Sequence, residues 1–284
     1  MDFNHSVYKL KDFYRKLTVP QFTIVTGLIV IFLGTLVLST PFCSSQNVGL
    51  WEAFFTSTSA ITVTGLTVID IGSDLTIFGQ IILAFMLLSG GLGLMAITTF
   101  LQGFVVKGAK LRTRLDKGKT LDEFGVGGIG RTFQSIAITA ASIISLGAFI
   151  LYFFGFININ NPWERLWVSI FHSISAYNNA GFSIWNTSIY EYRTNFVVNF
   201  VFIVLIVLGG LGWRVIDDIW THRNNLRYKK LTLHSKLVIR TTLNLILFGS
   251  IAFLITESLL NGQFFSDLNF FERILSALFE TISA

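Results

Sequence analysis

Charge-free apolar runs alternate with shorter mixed stretches along the chain. Four runs carry no Asp, Glu, Lys or Arg: QFTIVTGLIVIFLGTLVLST at 21–40, LTIFGQIILAFMLLSGGLGLMAITTFL at 75–101, TFQSIAITAASIISLGAFILYFFGFI at 132–157 and NFVVNFVFIVLIVLGGLGW at 195–213. Each reaches the roughly 18 to 20 residues that cross a hydrocarbon core as a helix. A fifth, 237–260, is interrupted only by Arg240 and Glu257 near its ends, where long side chains reach the interface. The pattern predicts five membrane-spanning helices.

Three stretches between these runs resemble one another: WEAFFTSTSA at 51–60, WVSIFHSISA at 167–176 and LSALFETISA at 275–284. Aligning Ala60, Ala176 and Ala284 gives spacings of 116 and 108 residues, with the same order of elements around each. An amphipathic helix of about 13 residues rises about 20 Å, short of the roughly 30 Å core, so these stretches enter the membrane and turn back. A returning irregular backbone cannot face lipid; it must be buried in protein or line a wet cavity.

This constraint turns the loops behind the short helices into the candidate site. The first reads Thr62, Val63, Thr64, Gly65; the second Asn178, Asn179, Ala180, Gly181. A glycine free to take positive φ lets successive carbonyls point one way, and carbonyl oxygens can replace the hydration shell of a cation such as K+. The Thr or Asn in first position is expected to add an oxygen. Either loop alone would be an ordinary turn; the repetition carries the signal. The expected fold is an all-α membrane protein of tandem helix, pore-loop, helix repeats, two complete and part of a third. Its segments are a cytoplasmic N-terminus (1–20), repeat 1 (21–102), a basic cytoplasmic loop (103–131), repeat 2 (132–221), a second basic loop (222–236) and a partial repeat 3 (237–284).

Composition agrees: 52% of the 284 residues are hydrophobic and 13% charged, with a mean hydropathy of +0.65. The net charge of +5 reflects topology. Eighteen Lys and Arg fall before the first span, between the second and third, or after the fourth; only Arg165, Arg193 and Arg273 fall on the opposite side. This asymmetry puts the N-terminus in the cytoplasm and leaves no case for nucleic-acid binding. The first run is too long for a cleaved signal and reads as a retained helix. The single cysteine, Cys43, excludes an internal disulfide and a cysteine metal cluster, and reads as a small residue at a helix end.

TSAITVTGLTVID, FHSISAYNNAGFSIW, the paired GGLG segments and YKKLTLHSKLVIR together resemble the KtrB/TrkH family of potassium-translocating subunits. The resemblance covers nearly the whole chain, and the short N-terminus favours the KtrB branch. It implies a bacterial plasma-membrane protein of four fused repeats that takes up potassium, with sodium as a candidate co-ion, through a filter holding one glycine per repeat. The filter positions carried over are the eight loop residues above. It further implies a homodimer seated on a cytoplasmic ring of RCK-type regulatory subunits, which would carry the nucleotide; no cofactor is expected in this chain. Against that pattern the chain reads as a fragment or a truncated frame, lacking a third filter and a fourth repeat.

Several features have competing readings. GVGGIG at 125–130 matches the dinucleotide fingerprint, but no acidic residue lies between Arg131 and Pro162, so it reads as a flexible lead-in to the third span. The GGLG segments at 90–93 and 209–212 suit close helix packing or a wide cavity. His172 aligns with Thr56 and Glu280 and is expected to hydrogen-bond a neighbouring helix rather than bind a metal. Asp217 and Asp218 are expected to pair with the following basic loop. Asp70 and Asp74 either draw cations to the mouth or are simply solvated, and NTS at 186–188 is an outward-facing sequon. A broken-helix secondary transporter of another family would require inverted repeats, whereas these run in one orientation. A membrane enzyme would require paired ionisable groups within the spans, which are almost free of them.

Overall fold

The computed structural model describes residues 19–45, 48–92, 126–222, 231–259 and 268–284. They form α1 (Val19–Leu38), α2 (Leu50–Thr62), the short α3 (Ile71–Asp74), α4 (Ile77–Gly91), α5 (Val126–Ile150), α6 (Pro162–Tyr177), α7 (Phe196–Leu211), α8 (Trp213–Thr221), α9 (Leu233–Leu259) and α10 (Phe270–Ser283). Apart from an isolated bridge between Ser44 and Leu75, no β-pairing occurs among the described residues. The fold is all-α.

The three short helices start for local reasons. The Glu52 carboxylate accepts from the Gly49 amide at 2.7 Å and that of Glu272 from the Asn269 amide at 2.8 Å, so a side chain of the first turn satisfies the N-cap amide in each. Asn161 caps α6 by accepting from Trp163 N at 3.1 Å, with Pro162 in the first turn, where its missing N–H costs nothing. That start makes α6 sixteen residues long, about 24 Å and still below the core thickness.

Packing follows one rule three times. Each spanning helix lies on the short helix that follows it: α1 on α2, α5 on α6, α9 on α10. Each short helix then packs on its return helix, α2 on α4 and α6 on α7, and each return helix packs on the next short helix, α4 on α6 and α7 on α10. The return helices begin alike. Thr76 Oγ1 accepts from Gly79 N at 3.2 Å and Asn195 Oδ1 from Val198 N at 3.2 Å. Four residues on, a buried amide ties the outer linker down. Gln80 donates to Ile71 O (3.1 Å) and accepts from Trp167 Nε1, 2.6 Å away on α6; Asn199 donates to the carbonyls of Tyr192, Arg193 and Asn195 at 2.8–3.1 Å.

The surface is inverted relative to a water-soluble domain. Leu28, Phe32, Phe85, Leu146, Phe149, Phe200, Leu247 and Phe248 point outward, while Thr56, Ser57, Ser59, Ser169, Ser173 and Ser175 are buried. Such an apolar belt, over a core that is itself mainly apolar but takes small hydroxyl residues from α2 and α6, is what a hydrocarbon surround selects.

Among the described residues, Gln134–Gly155 and Leu233–Leu259 are long and apolar enough to cross a membrane alone; α1 covers the first expected run with the 20 residues Val19–Leu38, and the 75–101 run is helical over Ile77–Gly91, its part beyond Leu92 lying outside the described residues. Two sequence expectations change. The 195–213 run is not one straight helix: it bends by 95° at Gly212, whose φ of 78° and ψ of 151° only glycine adopts readily. The 125–130 glycine run is no flexible lead-in, because Val126 onward is the start of α5; continuing the helix satisfies amides that a loop would leave open. A β-carbon added at Gly212 would have no heavy atom within 4 Å, so the cost of a substitution there is conformational. Gly212→Ala is expected to destabilise the α7–α8 corner by about 1–3 kcal/mol, seen as a lower melting temperature of the detergent-purified protein.

Candidate ion site

The two re-entrant loops adopt the same backbone. After α2, Val63 is left-handed (φ 56°) and Gly65 has φ 81°; after α6, the aligned Asn179 has φ 54° and Gly181 φ 69°. Thr64 and Ala180, between them, are outside the positive-φ set. Alternation of φ sign along a strand of chain turns consecutive carbonyls toward one side, which a helix or an ordinary turn does not do. The anchoring matches as well: Thr64 N donates to Ser59 O and Ala180 N to Ser175 O, both at 2.9 Å.

The loops meet at their glycines. A β-carbon on Gly65 would collide with the Ala180 carbonyl oxygen and come within 3.3 Å of Gly181 Cα; one on Gly181 would stand 3.6 Å from Gly65 Cα. Below and beside them a cavity of about 640 Å³ is lined by Thr64, Gly65, Asn179, Ala180 and Gly181, and by Phe279, Glu280 and Ser283 of α10. On the other side, a space of about 390 Å³ is lined by Gly65, Gly181, Asp70 and Asn186. The C-terminal ends of α2 and α6 meet here, and each brings roughly half a negative charge of unpaired carbonyl dipole. These dipoles favour positive charge, and the Glu280 carboxylate of α10 stands in the same cavity lining.

Of the eight loop residues expected to form the site, these five border the larger cavity and Thr62, Val63 and Asn178 do not. The expected side-chain oxygens in first position are turned away. Thr62 Oγ1 donates to Thr58 O at 2.8 Å and lies 2.6 Å from Thr64 Oγ1; Asn178 Nδ2 donates to Ile174 O at 2.7 Å. Carbonyls one turn back hold the Thr62 hydroxyl and the Asn178 amide nitrogen, Ile174 O accepting from Asn178 N as well, while Asn178 Oδ1 is buried without a hydrogen bond. Asn179 faces the cavity and ties its loop to α7 when its amide nitrogen is oriented to the carbonyls of Ala176 (3.2 Å) and Ile206 (3.1 Å).

The paired glycines act by close packing. A β-carbon on Gly90 would strike the Ile61 carbonyl, and one on Gly209 the aligned Tyr177 carbonyl, so each return helix presses its backbone on the last turn of its short helix. Leu92 ends the described part of the first segment; position 93 lies outside it.

His172 is buried and reaches the return loop rather than a neighbouring helix: Nδ1 lies 2.9 Å from Val168 O and Nε2 3.1 Å from Ser183 Oγ, with the ring stacked on Trp185 at 4.4 Å. No group of three metal-ligating side chains occurs among the described residues. Asp70 caps α3 by accepting from Gly72 N (3.0 Å), and Asp74 accepts from Asp70 N (2.9 Å), so both carboxylates are hydrogen-bonded locally rather than merely solvated. Asp218 accepts from Thr232 N and Oγ1, both at 2.9 Å, and its carboxylate lies 3.2 Å from His222 Nδ1; the basic residues of 223–230, expected to pair with Asp217 and Asp218, lie outside the described residues. Cys43 is buried in the turn after α1, its carbonyl accepting from Thr76 N at 2.9 Å. The residues that sequence reading passed over are Ser59 and Ser175, although the recurring Ser-Ala pair that aligned the copies already marked them.

Against known families, residues 9–284 match the model of TrkH, described as a cation transport protein. The chain belongs to the TrkH family. It is 33% identical over 233 residues to the Ktr system potassium uptake protein B of Bacillus subtilis, covering 81% of this chain and 51% of that protein. It is 32% identical over 277 residues to the potassium/sodium uptake protein NtpJ of Enterococcus hirae, covering 96% of this chain and 60% of that protein. The crystal structure of the potassium transporter TrkH from Vibrio parahaemolyticus shares the fold, with a TM-score of 0.62 at 18% identity over 94% of this chain and 51% of that one. The chain thus spans about half to three-fifths of the length of these relatives.

Gly209 and Gly210 offer a matched test of the packing. A β-carbon on Gly209 would meet backbone, whereas on Gly210 it would meet only the Asn179 side chain at 3.3 Å. Gly209→Ala is expected to cost about 1–3 kcal/mol through overpacking and Gly210→Ala clearly less, read as the difference in melting temperature between the two purified variants.

Proposed function

We propose that this chain forms part of a potassium-conducting pore, in which K+ sheds water into a carbonyl-lined constriction built on Gly65 and Gly181. The observation that carries this reading is the repeated sign pattern of φ at aligned positions in two loops whose glycines face each other. Carbonyls from the 62–65 and 178–181 loops replace the hydration shell, and the ends of α2 and α6 stabilise the bare cation beside the 640 Å³ cavity. The membrane potential, negative inside, drives the ion inward at about 2.3 kcal/mol per charge per 100 mV. Relatives named for potassium uptake support potassium as the ion, and one named for potassium and sodium makes sodium the second ion to test.

In this reading the protein lies in a bacterial plasma membrane with its N-terminus in the cytoplasm. The basic segments 103–131 and 222–236 then face the cytoplasm, where they suit contact with an RCK-type regulatory ring beneath a homodimer. A change at the glycines tests the pore. Gly65→Ser or Gly181→Ser forces a side chain into positive φ and, at residue 65, against the Ala180 carbonyl. Either is expected to lower the K+/Na+ uptake ratio at least tenfold in cells dependent on this protein for potassium. An unchanged ratio in both would remove these residues from the filter.

A further inference from the structure

α2 and α6 each carry, near the C-terminal end, a Ser-Ala pair whose serine reaches over the loop that follows. Ser59 Oγ accepts from the Leu66 amide at 3.0 Å, and Ser175 Oγ donates to the Phe182 carbonyl at 2.7 Å. Leu66 and Phe182 are the residues immediately after Gly65 and Gly181. The carbonyls of the same two serines accept from Thr64 N and Ala180 N, immediately before the glycines. One serine therefore grips both neighbours of its glycine, by main chain on one side and by side chain on the other. Both serines are buried, 5% and 3% exposed, so water does not compete for the hydroxyls.

A glycine at positive φ has no side chain to lock its peptide planes, and its carbonyl direction depends on what holds the flanking residues. We propose that Ser59 and Ser175 are positioning residues that fix the Gly65 and Gly181 carbonyls and thereby set ion preference; this rests on the filter reading above. The two clamps differ in sense. The first holds its loop through an amide and the second through a carbonyl, so the two repeats place their glycines by different hydrogen bonds.

The helices supply their own controls. Ser57 and Ser173, two residues earlier at aligned positions, are fully buried and their hydroxyls have no hydrogen-bond partner. The test measures K+, Rb+ and Na+ uptake by cells expressing the full chain with its natural partners, alongside the amount of folded protein in the membrane. Ser59→Ala and Ser175→Ala are each expected to lower the K+/Na+ ratio about fivefold, the effect of one lost hydrogen bond, at retained membrane yield. Ser57→Ala and Ser173→Ala are expected to leave it unchanged. Should an alanine variant fail to accumulate, Ser59→Cys and Ser175→Cys carry the comparison: a thiol bonds weakly, so an intermediate ratio supports the clamp and a wild-type ratio overturns it. A ratio unchanged in both alanine variants, or lowered equally by Ser57→Ala, also overturns it. A wild-type protein without any preference for K+ over Na+ would instead overturn the filter reading.

Discussion

Everything in this fold follows from one demand: a backbone that enters the membrane part-way and turns back must not show its amides and carbonyls to lipid. The helical parts meet this internally. The loops 62–66 and 178–182 cannot, and the structure packs them against the ends of their own short helices, the return helices and each other, while Thr62, Thr64, Leu66, Asn179 and Gly181 stay exposed. Thr64 and Ala180 amides go to Ser59 and Ser175 carbonyls, and the serine hydroxyls take a further loop group each. Thr64, Gly65, Asn179, Ala180 and Gly181 then border one cavity, and backbone carbonyls there would offer the chemistry that the proposed dehydrated cation requires.

Small residues make that enclosure geometrically feasible. In hydrocarbon no hydrophobic force draws helices together, so close van der Waals contact and internal hydrogen bonds must do so. Gly90 and Gly209 let a return helix touch the Ile61 and Tyr177 carbonyls, while buried serines and threonines fill the interior of α2 and α6 without bulk. Gln80 and Asn199, at matching places in the return helices, then pin the outer linkers that carry each loop back into a helix.

Polar groups away from the loops serve structure. Asp70, Asp74 and Asp218 find amide or hydroxyl partners, and His172 braces Ser183 beneath a stacked tryptophan. With these carboxylates so engaged, Glu280 is the carboxylate that lines the larger cavity, beside helix-end dipoles whose partial charges would, in the proposed pore, hold an ion without trapping it.

The all-α architecture, the three aligned short helices and the positive φ of Gly65 and Gly181 were legible in the sequence, because each depends on periodicity or on a residue type with a unique backbone freedom. The Ser-Ala ending was legible too, but only as a marker for alignment. What Ser59 and Ser175 grip, why Thr62 and Asn178 turn away from the cavity, and which of two readings fits the glycine pairs were decided by tertiary structure. The bend at Gly212 and the helical start at Val126 belong there as well. Hydrophobic pattern reports which segments prefer lipid, a property of each residue summed along the chain. Hydrogen-bond partners and contact distances depend on residues brought together from far apart in the chain, and only the packed helices determine them.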